Sequence, residues 1–127
     1  MNTFEQFETG KLVLPETEQP FSTLPWAPHP TFEGVDLKHL ITAKDTNGKF
    51  SYHLVHIAAN KKIGLHTHET QIETHEVIAG SGRCFNAQKE YPYTVGMISI
   101  FAAGAEHAVI AGPDGLSLFA KFIPALC

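Results

Sequence analysis

The chain has 127 residues, 43% of them apolar, and a formal net charge of −4. That length is one domain, able to bury roughly two-thirds of its unfolded surface around one core. Nine basic residues, scattered apart from Lys61-Lys62, exclude a nucleic-acid surface, which needs clustered Lys and Arg, and no apolar run is long enough to span a bilayer as a helix.

Met1 to Gly10 is polar and acidic, without the basic and apolar regions of a signal peptide. Cys84 and the terminal Cys127 make no disulfide framework. The expectation is a cytoplasmic protein with reduced thiols.

Residues 1–34 read as an irregular N-terminal arm ahead of a barrel domain over 35–127. Pro15, Pro20, Pro25, Pro28 and Pro30 exclude a long helix. Phe21, Leu24, Trp26 and Phe32 give the arm apolar anchors, for the body of the protein or for a neighbour. From Val35 onward the sequence predicts short strands between turn signals. Asn47-Gly48 marks a hairpin between Leu37–Thr42 and Phe50–Ala58. Strands follow over Ile63–His68 and Ile72–Ala79, and over Arg83–Asn86 after Gly80 and Gly82. Tyr91 and Tyr93 bracket Pro92 in what reads as a loop. Val95–Phe101, His107–Ala111 and Leu116–Ile123 complete the strands, the last two separated by the turn Gly112-Pro113-Asp114-Gly115. No segment keeps a helical apolar period, so the class is all-β, a sandwich or barrel.

Eight histidines is a high count for this length, and most fall between His53 and His107. His66 and His68 stand two apart, so on a strand their imidazoles share a face. Glu69-Thr70-Gln71 suits a turn that swings Glu73 back toward them. His107 opens a later strand. Three imidazoles and a carboxylate suit Fe, Mn, Ni, Cu, Co or Zn better than Ca or Mg. Four protein ligands on an octahedral ion leave two positions open, the layout of a reactive site. An HxH pair alone reads more readily as surface residues on an exposed strand face; the spaced Glu, the glycines and the later His shift the reading to a divalent metal site.

Those residues carry a resemblance. His66-Thr67-His68, four residues, Glu73, six residues and Gly80 resemble the first motif of the cupins. Gly96, seven residues, Gly104, two residues and His107 resemble the second. The similarity covers roughly Val35 to Ile123 and is to the small single-domain cupins. Asn60, Ala102 and Ala111 depart from the usual Gly, Pro and Asn of the motifs; none is a ligand. The resemblance implies a single jelly-roll β-barrel (a double-stranded β-helix) with a metal at one end of its interior. It also implies a choice of function, among oxygenases, decarboxylases, lyases, isomerases and binding modules without catalysis.

If Glu73 faces inward, His75 shares its face and stands beside the metal. There it is a candidate catalytic proton carrier, a partner to a ligand or a core histidine. Glu76 has the opposite parity and is the wrong-register competitor. His53 and His56 lie on opposite faces of one strand, and by analogy with small cupins His53 faces the cavity as a pocket candidate. His29 and His39 read as incidental, and Cys84 as buried and inert. The expected function is a metal-dependent oxygenase, dioxygenase-like, acting on a small organic molecule. A lyase or isomerase is the alternative, and a non-catalytic small-ligand sensing module the other. The arm's apolar residues predict a homodimer joined through it.

Overall fold

A computed structural model describes residues 1–127. Its main sheet holds eight antiparallel strands. They are β3 (Ala27–Pro28), β4 (Val35–Ile41), β5 (Ser51–Ile57), β6 (Lys62–His66), β7 (Ile72–Asn86), β8 (Lys89–Thr94), β9 (Ile98–Phe101) and β10 (His107–Ile123). β7 and β10 pair along nearly their whole lengths. On its other edge β10 pairs first with β6, through His107 to Ile110, and then with β5, through Leu116 to Phe122. β7 likewise pairs first with β9 and then with β8. Two long strands that change partners midway fold the sheet into a jelly-roll barrel, the all-β class read from the sequence.

The change of partner falls where the sequence carries glycines. A Cβ on Gly82 would lie 2.1 Å from the Ile110 carbonyl oxygen, and one on Gly80 would lie 2.2 Å from that of Gly115. Gly80 also has φ +75°, which side chains rarely adopt. β7 and β10 therefore touch backbone to backbone at their bends. The residues Gly112 to Gly115, read as a turn between two strands, are instead an irregularity within β10, with the register shifting between Ala111 and Leu116.

Alternation along the strands builds two cores. Val55, Ile57, Val77, Leu118, Ala120 and Phe122 point into the barrel. Leu40, Leu54, Ile78 and Phe119 point the other way and join Phe21 in a second cluster. Phe119 between Leu118 and Ala120 shows why the end of β10 reads as a continuous apolar run: both of its faces are covered.

The second face is covered by the arm, which is more regular than its prolines suggest. It opens with the short helix α1 (Thr3–Glu8), whose first turn is capped by the Asn2 side chain accepting the Glu5 N–H at 2.8 Å. A two-stranded ribbon follows, β1 (Lys11–Val13) on β2 (Glu18–Pro20). Phe7 stacks on Phe119 at 4.8 Å, and Phe4, Leu24 and Trp26 pack around the same cluster. Lys38, almost fully buried, donates its ammonium to the Phe21 carbonyl at 2.8 Å and lies 5.2 Å from the Trp26 ring centre. The arm's anchors are thus used on its own barrel, and they no longer argue for an arm-mediated dimer.

Two further expectations change. Tyr91 and Tyr93 lie on β8, not in a loop; Pro92 is accommodated there opposite Arg83 on a strand with no other neighbour. The β4–β5 hairpin contains a helical turn, α2 (Ala43–Thr46), before Asn47 and Gly48 adopt positive φ of 58° and 77°. No helix is long and apolar enough to cross a membrane.

Candidate metal centre

His66 ends β6, His107 opens β10, and the two residues pair directly across the ladder. β6 stops short of His68, which sits in the loop that follows, yet the two rings still meet at 5.0 Å. That loop is tied down by the Gly104 N–H, which donates to the His68 carbonyl at 2.9 Å. Glu73 lies near the start of β7, 5% exposed. Strand parity then aims Glu73 and His75 inward, while Glu76 points out and bonds Lys121.

The donor atoms of His66, His68, Glu73 and His107 all lie within 4.8 Å of one another. Glu73 Oε1 is 2.9 Å from His107 Nε2 and 3.3 Å from His68 Nε2, and its Oε2 is 2.6 Å from His75 Nε2. Burial pushes the Glu73 carboxyl up. The charge of His75 and hydrogen bonds from His107, His68 and His75 outweigh that and hold it well below the usual carboxylate range.

The donor chemistry fits a cation. His66 Nδ1 faces the Gly64 carbonyl at 2.7 Å, and His107 Nδ1 faces that of Ala105 at 3.2 Å. An oxygen acceptor there assigns the N–H to Nδ1 and leaves Nε2 with its lone pair, as in metal-binding imidazoles held by a backbone carbonyl. His107 then has an oxygen at both ring nitrogens, and a neutral ring can satisfy only one. A metal ion among these atoms removes the conflict. Bonds of about 2.1 Å place neighbouring donors about 3 Å apart, close to the spacing seen. Phe101 stacks on the His107 ring at 4.2 Å and fixes its plane.

The group opens onto a cavity of about 330 Å³. Leu37, Val55, Ile63 and Phe122 give it apolar walls, and it has no Lys or Arg in its lining. His53 faces it, 1% exposed, while His56 points outward to Ser117 and Phe4. His29 and His39, read as incidental, also line it, as does Cys127. Burial pushes both histidines down, with His68 adding to the effect at His29.

No protein-family model matches the chain, and no curated protein matches it. Solved structures do. A predicted oxalate decarboxylase from Thermotoga maritima superposes with a TM-score of 0.74 at 21% identity, over 81% of this chain and 95% of that one. An RmlC-like cupin from Shewanella frigidimarina gives 0.71 at 15% identity, over 83% and 87%. The chain has the cupin fold. A further neighbour, a polyketide cyclase from Streptomyces resistomycificus, gives 0.69 at 18% identity, over 81% and 75%.

The departures from the motifs are local. Asn60 stands in for glycine and takes φ 61°, which Asn tolerates better than most residues. Cys84 is fully buried in the barrel core, and burial raises its thiol. The cavity residues that sequence reasoning missed are His29, His39 and Cys127. His39 stands opposite His53 in the observed register, which the helical turn in the hairpin sets.

Proposed function

We propose that this cupin is a metal-dependent enzyme acting on a compact organic molecule, with one divalent transition metal held by His66, His68, Glu73 and His107. The observation that carries the reading is that these donors cluster, with His66, His68 and Glu73 opening onto a cavity of about 330 Å³ that has no Lys or Arg in its lining. Such a cavity takes a small substrate whose negative charge, if any, goes to the metal. A divalent ion there supplies Lewis acidity and, as iron or copper, a centre where O₂ meets substrate. His75 holds Glu73 through Oε2, and its Nδ1 has no hydrogen-bond partner. It is the proposed proton carrier and also positions the carboxylate. His53, joined to His39 and to Ser51, lines the substrate cavity.

An oxygenase is the first reading of the reaction. The names of two neighbours, a decarboxylase and a cyclase, favour a lyase or isomerase as the second. A sensing module could line its cavity with apolar groups alone; the imidazoles of His29, His39 and His53 beside the donors favour catalysis. A reducing, cytoplasmic setting is part of the proposal, with both thiols free.

The test uses metal-free protein reloaded separately with Fe, Mn, Co, Ni, Cu and Zn. O₂ uptake is followed with enols and catechols, and anaerobic conversion by NMR. Turnover that requires O₂ supports the oxygenase, and anaerobic turnover supports the lyase or isomerase. Ligand binding with no conversion under any metal would overturn the enzyme reading in favour of a sensing module.

A further inference from the structure

The cavity holds a second set of donors that the first group does not use. His39 on β4 and His53 on β5 stand directly opposite one another, with their Nδ1 atoms 2.7 Å apart. Cys127 lines the same cavity, and its Sγ and the two imidazole donors all lie within 4.8 Å of one another. Neighbouring bonds hold His53 and the chain at Cys127 in place. Ser51 Oγ is 2.7 Å from His53 Nε2 and accepts the Leu126 N–H at 2.8 Å. The Cys127 carbonyl accepts the N–H of Ala43. One serine thus fixes both an imidazole and the backbone next to the thiol.

We infer that His39, His53 and Cys127 form a second metal site, for a thiophilic d¹⁰ ion, Zn²⁺ or Cu⁺. Two imidazoles and a thiolate select soft and borderline ions over Mg²⁺ and Ca²⁺. Burial, and the neighbouring His39, push His53 down to about 4, so near neutral pH its ring is uncharged and has a lone pair to give. Burial also pushes His39 down. Two neutral imidazoles at this separation share one hydrogen between their Nδ1 atoms. Moving that hydrogen to Nε2, where His53 can donate to Ser51 Oγ, frees both Nδ1 lone pairs for an ion. The two nitrogens must open from 2.7 Å to about 3.4 Å to bind it at a tetrahedral angle with bonds of about 2.1 Å. Partial desolvation against the cavity wall raises the Cys127 thiol, so the ion itself drives its deprotonation. The S–H bond breaks, a sulfur–metal bond forms, one proton leaves to solvent, and no electron is transferred.

Cobalt(II) is the probe, because a thiolate bound to it gives a charge-transfer band in the near ultraviolet. The His66, His68, Glu73 and His107 group has no sulfur and cannot produce that band. Titrating the metal-free full chain is expected to give the band, saturating by two ions per chain as both groups fill and by one in the His66→Ala/His68→Ala variant, with Zn²⁺ or Cu⁺ then displacing the cobalt. Cys127→Ser, an exposed position, should abolish it, and His39→Ala should do the same. Cys84→Ser should keep it. The His66→Ala/His68→Ala variant should also keep it, so failure of the first metal centre and failure of this one are read separately. No band in the intact chain overturns the site and leaves a proton-sharing imidazole pair beside a bystander thiol. A band that survives Cys127→Ser, or one that vanishes with His66 and His68, overturns it equally.

Discussion

Glu73 is the residue on which the proposed centre turns. One carboxylate oxygen faces His68 and His107, the other faces His75, and the group is almost fully buried. Glu76, one step out of phase on the same strand, bonds Lys121 on the barrel's outside. Glu73→Ala should therefore weaken metal binding measurably, though less than loss of any one of the three imidazoles. Glu76→Ala should leave the metal content of purified protein unchanged, as elemental analysis would show. The reverse pattern would mean that the strand is out of register by one residue. His75→Asn should lower metal affinity by about tenfold to a hundredfold, the usual effect of removing a partner of a ligating group. A competition titration against a chelator measures it.

Burial pushes His29, His39, His53 and His66 below the ordinary imidazole value of 6.5, His53 to about 4. Between about pH 4 and 6.5 the unfolded chain therefore binds more protons at these sites than the folded one. Their contribution to stability is present above pH 6.5 and is lost as pH falls through that window. Urea melts of the metal-free protein should show its midpoint rising from pH 4 to 6.5, with a shallower rise in His53→Gln. A midpoint that falls over the same range would contradict the assignment of buried neutral rings.

Among the elements, β7 and β10 set the shape of the barrel, and their bends depend on the absence of side chains at Gly80 and Gly82. Gly82→Ala would drive a Cβ against the Ile110 carbonyl and should cost about 3 kcal/mol or more. Thermal melts would register it as a fall in Tm, and an unchanged Tm would mean that the strands can separate freely. Phe21→Ala should cost about 3–5 kcal/mol, the range for emptying a core aromatic site, because Phe21 sits between the arm and the outer face of the sheet. The division at Val35 into arm and barrel remains a proposal. A chain starting there would expose Leu40, Leu54, Ile78 and Phe119, so it is expected to aggregate or melt early rather than fold as an independent barrel.

The same elements show what could be read from the sequence. The four clustered donors were legible because strand parity, one polar turn and two spaced glycines constrain their positions together. His39 was not, because an Asn-Gly turn taken as a two-residue loop sets it opposite His56. The helical turn α2 takes up residues on one arm of the hairpin and brings it to His53 instead. β8 was hidden by Pro92, which an edge strand tolerates. The arm's order was hidden because α1 and the β1–β2 ribbon are too short to show a period. They are held by tertiary contacts rather than by local preference.

Over the whole molecule, the homodimer remains a proposal, now placed on a different surface. The arm is occupied by its own barrel, whereas Ile98 and Ile100 on β9 are 68% and 65% exposed and face outward side by side, near the 61% exposed Val95. Light scattering should give a dimer for the intact chain and a monomer for Ile98→Lys/Ile100→Lys. A monomer for the intact chain would remove the dimer from the account.

Everything proposed about the reaction depends on one ion held by the first group of donors. Its most direct test is the metal content of intact protein purified without added metal, set against that of the His66→Ala/His68→Ala variant. The Cys127→Ser background removes any contribution from the second group. The account predicts one transition-metal ion per chain in the parent and almost none in the double variant, with folding confirmed by circular dichroism. A folded double variant that keeps the full complement of metal would contradict it.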